Sequence, residues 1–298
     1  MILPKGMRKL AAYMFNNCTK LKTVTLPDSL TEIDEGAFTN TAIESLEHLN
    51  IEKIGKEAFK GCTKLKRISL PKIKTIGQEA FADCTSLLKF DNDVTSIGEG
   101  AFKNCSSLEE VNIRKLTLVS ASAFENAVKL TKVSLNTETT STSFSIETRD
   151  FANCVLLNEI DLSRVRKIKD EAFKNCNALT SLDLSVVTEI GKEAFSIDNE
   201  TPLAAEFEVI FASINSPTCT TIGEKAFYNR TNYVGVLEFN IGKLKTCGNY
   251  AFGKTGITNF ILHLKTTSTL KLPTTFADYW NGKEEGGTET IPYVIESM

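Results

Sequence analysis

The chain contains eight cysteines, and their spacing indicates whether they could bind a metal or form disulfides. Six of them follow a recurring phenylalanine by three residues: Cys18, Cys62, Cys84, Cys105, Cys154 and Cys176. A structural metal site needs convergent thiolates, which are commonly supplied by Cys-x-x-Cys pairs. The sequence contains no such pair, and we therefore predict that the protein binds no metal.

The same cysteines are not expected to form disulfides. If successive repeats stack in parallel at ~4.8 Å, equivalent side chains run parallel and do not reach the shorter Cβ separation that the bond prefers. Thr41 and Ala127 occupy the cysteine position in two repeats, which indicates a requirement for a small, buried side chain. We predict inert core thiols. Cys247 takes a repeat isoleucine position, whereas Cys219, beside an insertion, is the candidate for an exposed, reactive thiol.

Other catalytic residue types are sparse. The two histidines, His48 and His263, belong to distant repeats, and neither lies in a pattern typical of a catalytic triad. Glycines recur about once per repeat without the spacing of a phosphate-binding loop. We predict that the protein is not an enzyme and has no cofactor. The alternative would need convergent acids, bases or nucleophiles in the C-terminal region or in an insertion over 196–222, where the carboxylates are Asp198, Glu200, Glu206 and Glu208.

Charge and hydropathy exclude several classes of partner. A net charge of -3 and a pI near 5.7 give no electrostatic reason to expect nucleic acid or an anionic membrane surface. No apolar run approaches the ~18 to 20 residues needed to cross a bilayer. The opening MILPKGMRKLAAYMF lacks the order of a signal peptide. Because Ile2-Leu3-Pro4 matches the end of a repeat strand, we expect this chain to be a segment of a longer protein or a chain from which a leader has been removed.

A repeat of roughly 22 residues positions all these side chains. Its clearest marker is a phenylalanine, found at Phe15, Phe38, Phe59, Phe81, Phe102, Phe124, Phe151, Phe173, Phe195, Phe227 and Phe252. A unit this short cannot bury its own apolar face and must stack on its neighbours as a solenoid. We assign 1–276 to one solenoid of 11–12 repeats, with insertions near 136–146 and 196–222. Residues 277–298, which include Trp280, are assigned to a C-terminal cap or tail.

Each repeat is predicted to contain one strand and one turn. In Leu65-x-x-Ile68-x-Leu70, Ile68 and Leu70 alternate with Ser69, as in a strand with one buried face. The Ile-Gly-x-x-Ala-Phe segment is predicted to form a turn with a short helical or 3-10 piece. The predicted fold class is an α/β repeat solenoid with parallel strands.

Side chains that alternate with the buried strand residues should form an outward polar face. The candidate ligand-binding residues on it are Arg67, Lys89, Asp91, Glu110, Asn112, Lys132, Glu159, Asp161 and Asp183. In sequence order these change from basic toward acidic. Two interpretations stay open, a protein-binding surface and an ordinary solvated sheet face, because the residues named include no aromatic hot-spot type.

The repeat resembles the leucine-rich repeats of the BspA type. The matching positions include Ile76-Gly77, Ala80-Phe81, Cys84, Leu87 and the strand beginning at Phe90. The resemblance implies a right-handed arc with strands on the concave side. It also implies an extracellular or cell-surface protein with a role in adhesion or in recognition of a host protein or matrix component. A carbohydrate-binding or scaffolding module of a larger protein is the alternative, and the oligomeric state is left open.

Overall fold

The computed structural model describes residues 3–135, 144–179, 182–198, 214–215, 218–228, 235–240, 244–251, 260–266 and 293–297. The chain divides into two compact units. Unit 1 consists of Met1–Ser141 with Asn153–Ile160, and unit 2 of Thr142–Ala152 with Asp161–Met298. Most of both predicted insertions and most of the predicted cap at 277–298 lie outside the described residues. The single solenoid over 1–276 stays a prediction.

Short parallel strands recur through the described part of the chain. In chain order they are β1 Lys9–Leu10, β2 Glu32–Ile33, β3 Ser45–Glu47, β4 Lys53–Ile54, β5 Arg67–Ser69, β6 Thr75–Ile76, β7 Lys89–Asp91, β8 Ser96–Ile97, β9 Glu110–Ile113, β10 Leu118–Val119, β11 Lys132–Leu135, β12 Phe144–Ile146, β13 Glu159–Ile160, β14 Val165–Ile168, β15 Leu182–Asp183, β16 Glu189–Ile190, β17 Ile214–Asn215, β18 Thr221–Ile222, β19 Gly235–Asn240, β20 Thr246–Cys247, β21 Phe260–Thr266 and β22 Tyr293–Ser297.

Regular coils of the solenoid contribute two strands each, where the sequence predicted one. In unit 1 one sheet has the order β1-β2-β4-β6-β8-β10, and we call it the isoleucine sheet. The predicted repeat strands form β3-β5 and β7-β9-β11-β13, which together we call the leucine layer. Unit 2 repeats the arrangement with β12-β14-β16-β18-β20 and β15-β17-β19-β21-β22. The parallel-strand solenoid is thus confirmed within each unit, while the right-handed arc and the concave placement of the strands stay predictions.

The predicted helical or 3-10 turns are wrong for the described residues, which contain no helix. Each regular coil has left-handed backbone at two places, two residues before and two residues after the repeat phenylalanine. Around Phe81 these residues are Glu79 and Asp83, with φ of 50° and 60°. A right-handed helix cannot contain them.

Backbone hydrogen bonds give a second reason for the absence of helix. The N–H groups of Glu79, Phe81 and Asp83 donate to carbonyls of the following coil, at 2.8, 2.8 and 2.9 Å. The N–H groups in between close turns within the coil; that of Ala82, for example, donates to Glu79 O at 3.1 Å. Alternate donors therefore hold neighbouring coils together, a pattern that leaves no continuous helical ladder. The described residues accordingly include no helix able to span a membrane.

Stacked phenylalanines form the centre of each unit. In unit 1 the rings from Phe15 to Phe124 follow one another with centroids 5.0 to 5.4 Å apart and planes within 21°. In unit 2 the rings from Phe151 to Phe227 stack at 5.2 to 5.4 Å. Burying one such side chain contributes ~1.5 to 3 kcal/mol. The repeat phenylalanine therefore joins each coil to its neighbours.

Candidate functional site

The repeat cysteines have a structural role that their spacing alone did not reveal. Cys62, Cys84 and Cys105 are fully buried, and each thiol donates a hydrogen bond to the phenylalanine carbonyl of the preceding coil, at 3.0 to 3.2 Å. Burial, the largest cause, raises the pKa of the Cys84 and Cys105 thiols well above the ordinary value of 9.0. A buried neutral thiol is a poor nucleophile. The thiol thus adds a second hydrogen bond to a carbonyl that already accepts the backbone N–H three residues later, at 3.1 to 3.2 Å.

Two cysteines differ in exposure from what their positions suggested. Cys219, the predicted candidate for an exposed thiol, is buried, and its Sγ lies 3.3 Å from the carbonyl oxygen of Thr221. Cys18, in the first repeat, is exposed. The described residues contain no group of three or more His, Cys, Asp or Glu side chains that could hold a metal ion.

Asparagines beside the cysteines form a second ladder that sequence reasoning missed. Asn104 donates from Nδ2 to Oδ1 of Asp83 at 2.8 Å and accepts from Asn126 at 2.7 Å, and Asn153 donates in turn to Asn126 at 2.7 Å. All four have φ between 60° and 63°. Asn and Asp tolerate this backbone better than other residues with a Cβ. The recurring Asn-Cys order, as in Asn104-Cys105 and Asn153-Cys154, was the available signal.

The candidate ligand-binding residues of unit 1 lie in two rows on the leucine layer. The first, which we call the charged row, contains residues from successive strands: Arg67, Lys89, Glu110, Lys132 and Glu159. Strand register aligns Lys89 with Glu110, Glu110 with Lys132, and Lys132 with Glu159. Arg67 holds the same repeat position in β5, where its register partner is Ser45.

The last four members of the charged row form two ion pairs. Lys89 Nζ lies 2.9 Å from Glu110 and Lys132 Nζ lies 2.5 Å from Glu159. The hydrogen bond to Glu110 is the largest cause that raises the pKa of Lys89. Signs therefore alternate from Lys89 to Glu159 in unit 1, and these four residues do not form a gradient from basic to acidic.

The remaining candidates have local partners. In the second row Asn112 donates to Asp91 Oδ1 at 3.2 Å, and Arg114 lies 3.4 Å from the same oxygen. Asp161 and Asp183 belong to unit 2. Each accepts the backbone N–H of the serine two residues later at 2.9 Å, as in an Asx turn. These two carboxylates therefore have a structural role at the ends of their strands, and their ligand-binding role stays a prediction.

A separate cleft of about 350 Å³ opens on unit 1 between Arg8, Asp28, Ser29, Thr31, Asn50, Glu52 and Lys72. Its polar groups mostly contact one another or the backbone. Asn50 donates to Asp28 O at 2.9 Å, Lys72 donates to Asn50 at 2.8 Å, and Ser29 donates to Lys5 O at 2.8 Å. The cleft lacks the apolar lining that is typical of small-molecule pockets.

His48 lies next to this cleft and has no catalytic surroundings. Its Nδ1 accepts the backbone N–H of Asn50 at 3.2 Å, which leaves the proton on Nε2, 3.1 Å from Pro27 O. Nδ1 therefore holds the turn between β3 and β4, and Nε2 connects this turn to the preceding coil. The side chain of His263 lies outside the described residues.

The repeat matches a known family of repeat proteins. The family model of the BspA type leucine rich repeat region matches in six copies over residues 1–91, 86–201 and 207–278. Among curated protein sequences, none is significantly similar to this chain.

Three solved bacterial structures illustrate the likeness. A leucine-rich repeat protein from Bacteroides ovatus is 21% identical over 88% of this chain and 78% of its own, with a TM-score of 0.45. The pneumococcal vaccine antigen PcpA is 20% identical over 99% and 78%, with a TM-score of 0.47. A leucine rich cell surface protein from Faecalibacterium prausnitzii is 20% identical over 89% and 86%, with a TM-score of 0.42.

The match of the family model covers most of the chain, and the repeat phenylalanines, the cysteines and the described strands β1 to β21 lie within the matched ranges. This chain belongs to the BspA-type leucine-rich repeat family.

Proposed function

We propose that this chain is a non-catalytic recognition module that binds a protein or matrix ligand through the leucine layer of unit 1. The observation that carries the proposal is the charged row. Its four paired side chains are 37% to 62% exposed, yet ion pairs to neighbouring strands fix their positions. A polar surface that is ordered before binding loses less side-chain entropy on association, and alternating charge gives specificity for a complementary partner.

The chemistry of the outward positions favours protein over glycan as the ligand. Clustered, exposed aromatic side chains would favour a glycan as the ligand. The outward residues of β3, β5, β7, β9 and β11 include none: Ser45, Glu47, Arg67, Ser69, Lys89, Asp91, Glu110, Asn112, Lys132 and Ser134. The extracellular or cell-surface location follows from the resemblance of the repeat to a family of surface and secreted proteins, and it belongs to the same proposal.

A charge exchange tests this function with little risk to the fold. The double variant K132E/E159K keeps an ion pair across the same two strands and keeps the net charge, but it reverses the sign of each position. We expect the free energy of unfolding of this variant to lie within ~1 kcal/mol of that of the wild type, because exposed ion pairs contribute little to stability. Binding to a protein selected from a panel of purified matrix proteins should weaken tenfold or more.

The matched control exchanges another pair that lies outside the leucine layer. Lys167 and Glu189 are 2.7 Å apart in the isoleucine-containing sheet of unit 2. K167E/E189K should leave the same interaction unchanged. Equal binding by wild type and both double variants would show that the charged row is not the recognition surface.

A further inference from the structure

We infer that Arg67, together with the adjacent Leu88, is the docking point of the leucine layer for an acidic protein segment in which a carboxylate stands next to an aliphatic side chain. This inference rests on the proposed recognition function and adds the place and chemistry of the partner. It depends on two residues whose surroundings differ from those of their counterparts in the other coils of unit 1.

Arg67 is the unpaired member of the charged row. The four later members pair as Lys89 with Glu110 and Lys132 with Glu159. Arg67 is exposed, its register partner is the neutral Ser45, and the residue at its repeat position in the next coil is Lys89. Within residues 3–135 its guanidinium has no carboxylate within ion-pairing distance and no side-chain hydrogen bond. The row thus presents one uncompensated cation.

The chemistry of a guanidinium defines what would compensate it. Its planar set of donors matches a carboxylate through two parallel hydrogen bonds, whereas an ammonium interacts as a point charge. Arginine is also enriched among the residues that dominate the energy of protein interfaces. A carboxylate of a partner therefore fits Arg67 better than a neutral or a basic group.

Leu88 supplies an apolar contact beside this cation. Its backbone N–H donates to the carbonyl of Lys66 at 3.3 Å, which places Leu88 next to the residue preceding Arg67. Leu88 is 46% exposed, whereas the neighbouring coils have Lys66 and Glu109 at the same repeat position. A segment with adjacent acidic and aliphatic residues would pair its carboxylate with Arg67 and bury its aliphatic group against Leu88.

Fluorescence polarisation with three labelled peptides of equal length provides the test. One peptide repeats Glu-Leu, the second Gln-Leu and the third Glu-Ser, so that the carboxylate and the aliphatic group are removed separately. We expect the Glu-Leu peptide to bind at least tenfold more tightly than either of the others. R67A and L88S should each reduce that binding about tenfold, and R67K should fall between R67A and wild type.

A matched variant separates docking from general charge attraction. Lys64 lies in the same coil, is exposed and has no ion pair within residues 3–135, so K64A removes the same charge from a neighbouring place. K64A should bind the Glu-Leu peptide within twofold of wild type. Equal losses in R67A and K64A, or equal binding of the Gln-Leu peptide, would overturn the docking point.

The same variants separate this inference from the proposed function. If a matrix protein binds wild type, loses affinity in K132E/E159K and retains it in R67A, the recognition function stands and the docking point at Arg67 is overturned. If that protein loses affinity in R67A and L88S, both are supported. If it binds wild type and all variants equally, both are overturned.

Discussion

Unit 1 contains buried rows, formed by its repeat phenylalanines, cysteines and leucines, and the exposed charged row. Both kinds of row stack with the same coil spacing, but they are stabilised differently. Phenylalanine rings from Phe38 to Phe124 are fully buried, and each meets nearly the same surroundings in every coil. The charged row is exposed, and its members depend on the residue at the same position in the next coil. The buried rows can therefore repeat one residue type, whereas the exposed row can change from coil to coil. The first specifies the fold, and the second is where a specific surface can arise.

Truncation of a buried ring should cause the largest loss of unfolding free energy. Phe81 is fully buried between Phe59 and Phe102, with centroid distances of 5.3 and 5.4 Å. We expect F81A to lose ~3 to 5 kcal/mol of unfolding free energy because it removes contacts with two coils and leaves a cavity. Chemical denaturation measures the loss. K89A, in the charged row of the same coil, should unfold at nearly the wild-type midpoint, and a similar loss in both variants would contradict the distinction.

A methyl group between stacked backbones should have the next largest effect. A Cβ added at Gly77 would lie 2.6 Å from the backbone nitrogen of Lys56 and 2.7 Å from the carbonyl carbon of Gly55. Because backbone cannot yield as a side chain can, G77A must separate two coils, at a cost of ~1 to 3 kcal/mol. Gly6 is the control, since a Cβ there would meet nothing within 4 Å. A thermal unfolding curve of G77A that coincides with that of G6A would contradict this packing.

Substitutions at Asn104 should separate two smaller contributions. N104G keeps a residue suited to φ of 60° but removes both ladder hydrogen bonds. N104A removes the bonds and adds the cost of left-handed backbone, ~1 to 2 kcal/mol. Gly61 already occupies the equivalent position in its own coil, with φ of 71°. We expect N104A to be less stable than N104G, and the opposite order in urea denaturation would exclude backbone strain as the reason for asparagine here.

The sequence predicted the buried rows because they are periodic and apolar. Phe81, Cys84 and Leu87 recur at fixed offsets, and all three are fully buried. The isoleucine sheet was missed because its strands in unit 1, such as Thr75–Ile76, have only two residues, too few to show alternation. The helical turn was predicted wrongly because the residue type of Glu79 gives no sign of its left-handed backbone, with φ of 50°, or of the hydrogen bond from its N–H to the next coil.

Part of the surface could be predicted and part could not. Alternation correctly placed Lys89 and Glu110 on the outward side of their strands. Their pairing depends on register between strands 21 residues apart, which becomes visible only when successive repeats are aligned. The local role of Asp183 depends on a turn formed after its strand. The unpaired state of Arg67 likewise follows from its neighbours in other coils, and a single repeat does not contain that information.

The buried thiols should give the smallest effect, a loss of stability at alkaline pH. Burial is the largest cause that raises the pKa of Cys62, Cys84, Cys105 and Cys247 above 9.0. In the unfolded chain these thiols ionise near their ordinary value, whereas the folded protein keeps their protons. Their contribution to stability is therefore complete below about pH 9 and declines as pH rises from there toward the folded pKa values.

Urea denaturation at several pH values between 7 and 10.5 measures this decline. C84A is the matched variant because Ala127 fills the same slot in its own coil, buried between its neighbours. The decline above pH 9 should be shallower in C84A than in wild type, since one fewer proton is released on unfolding. Identical slopes would show that the Cys84 thiol does not keep its proton in the folded state. That result would exclude a raised pKa for Cys84, and it would also exclude a neutral thiol that donates to the Phe59 carbonyl.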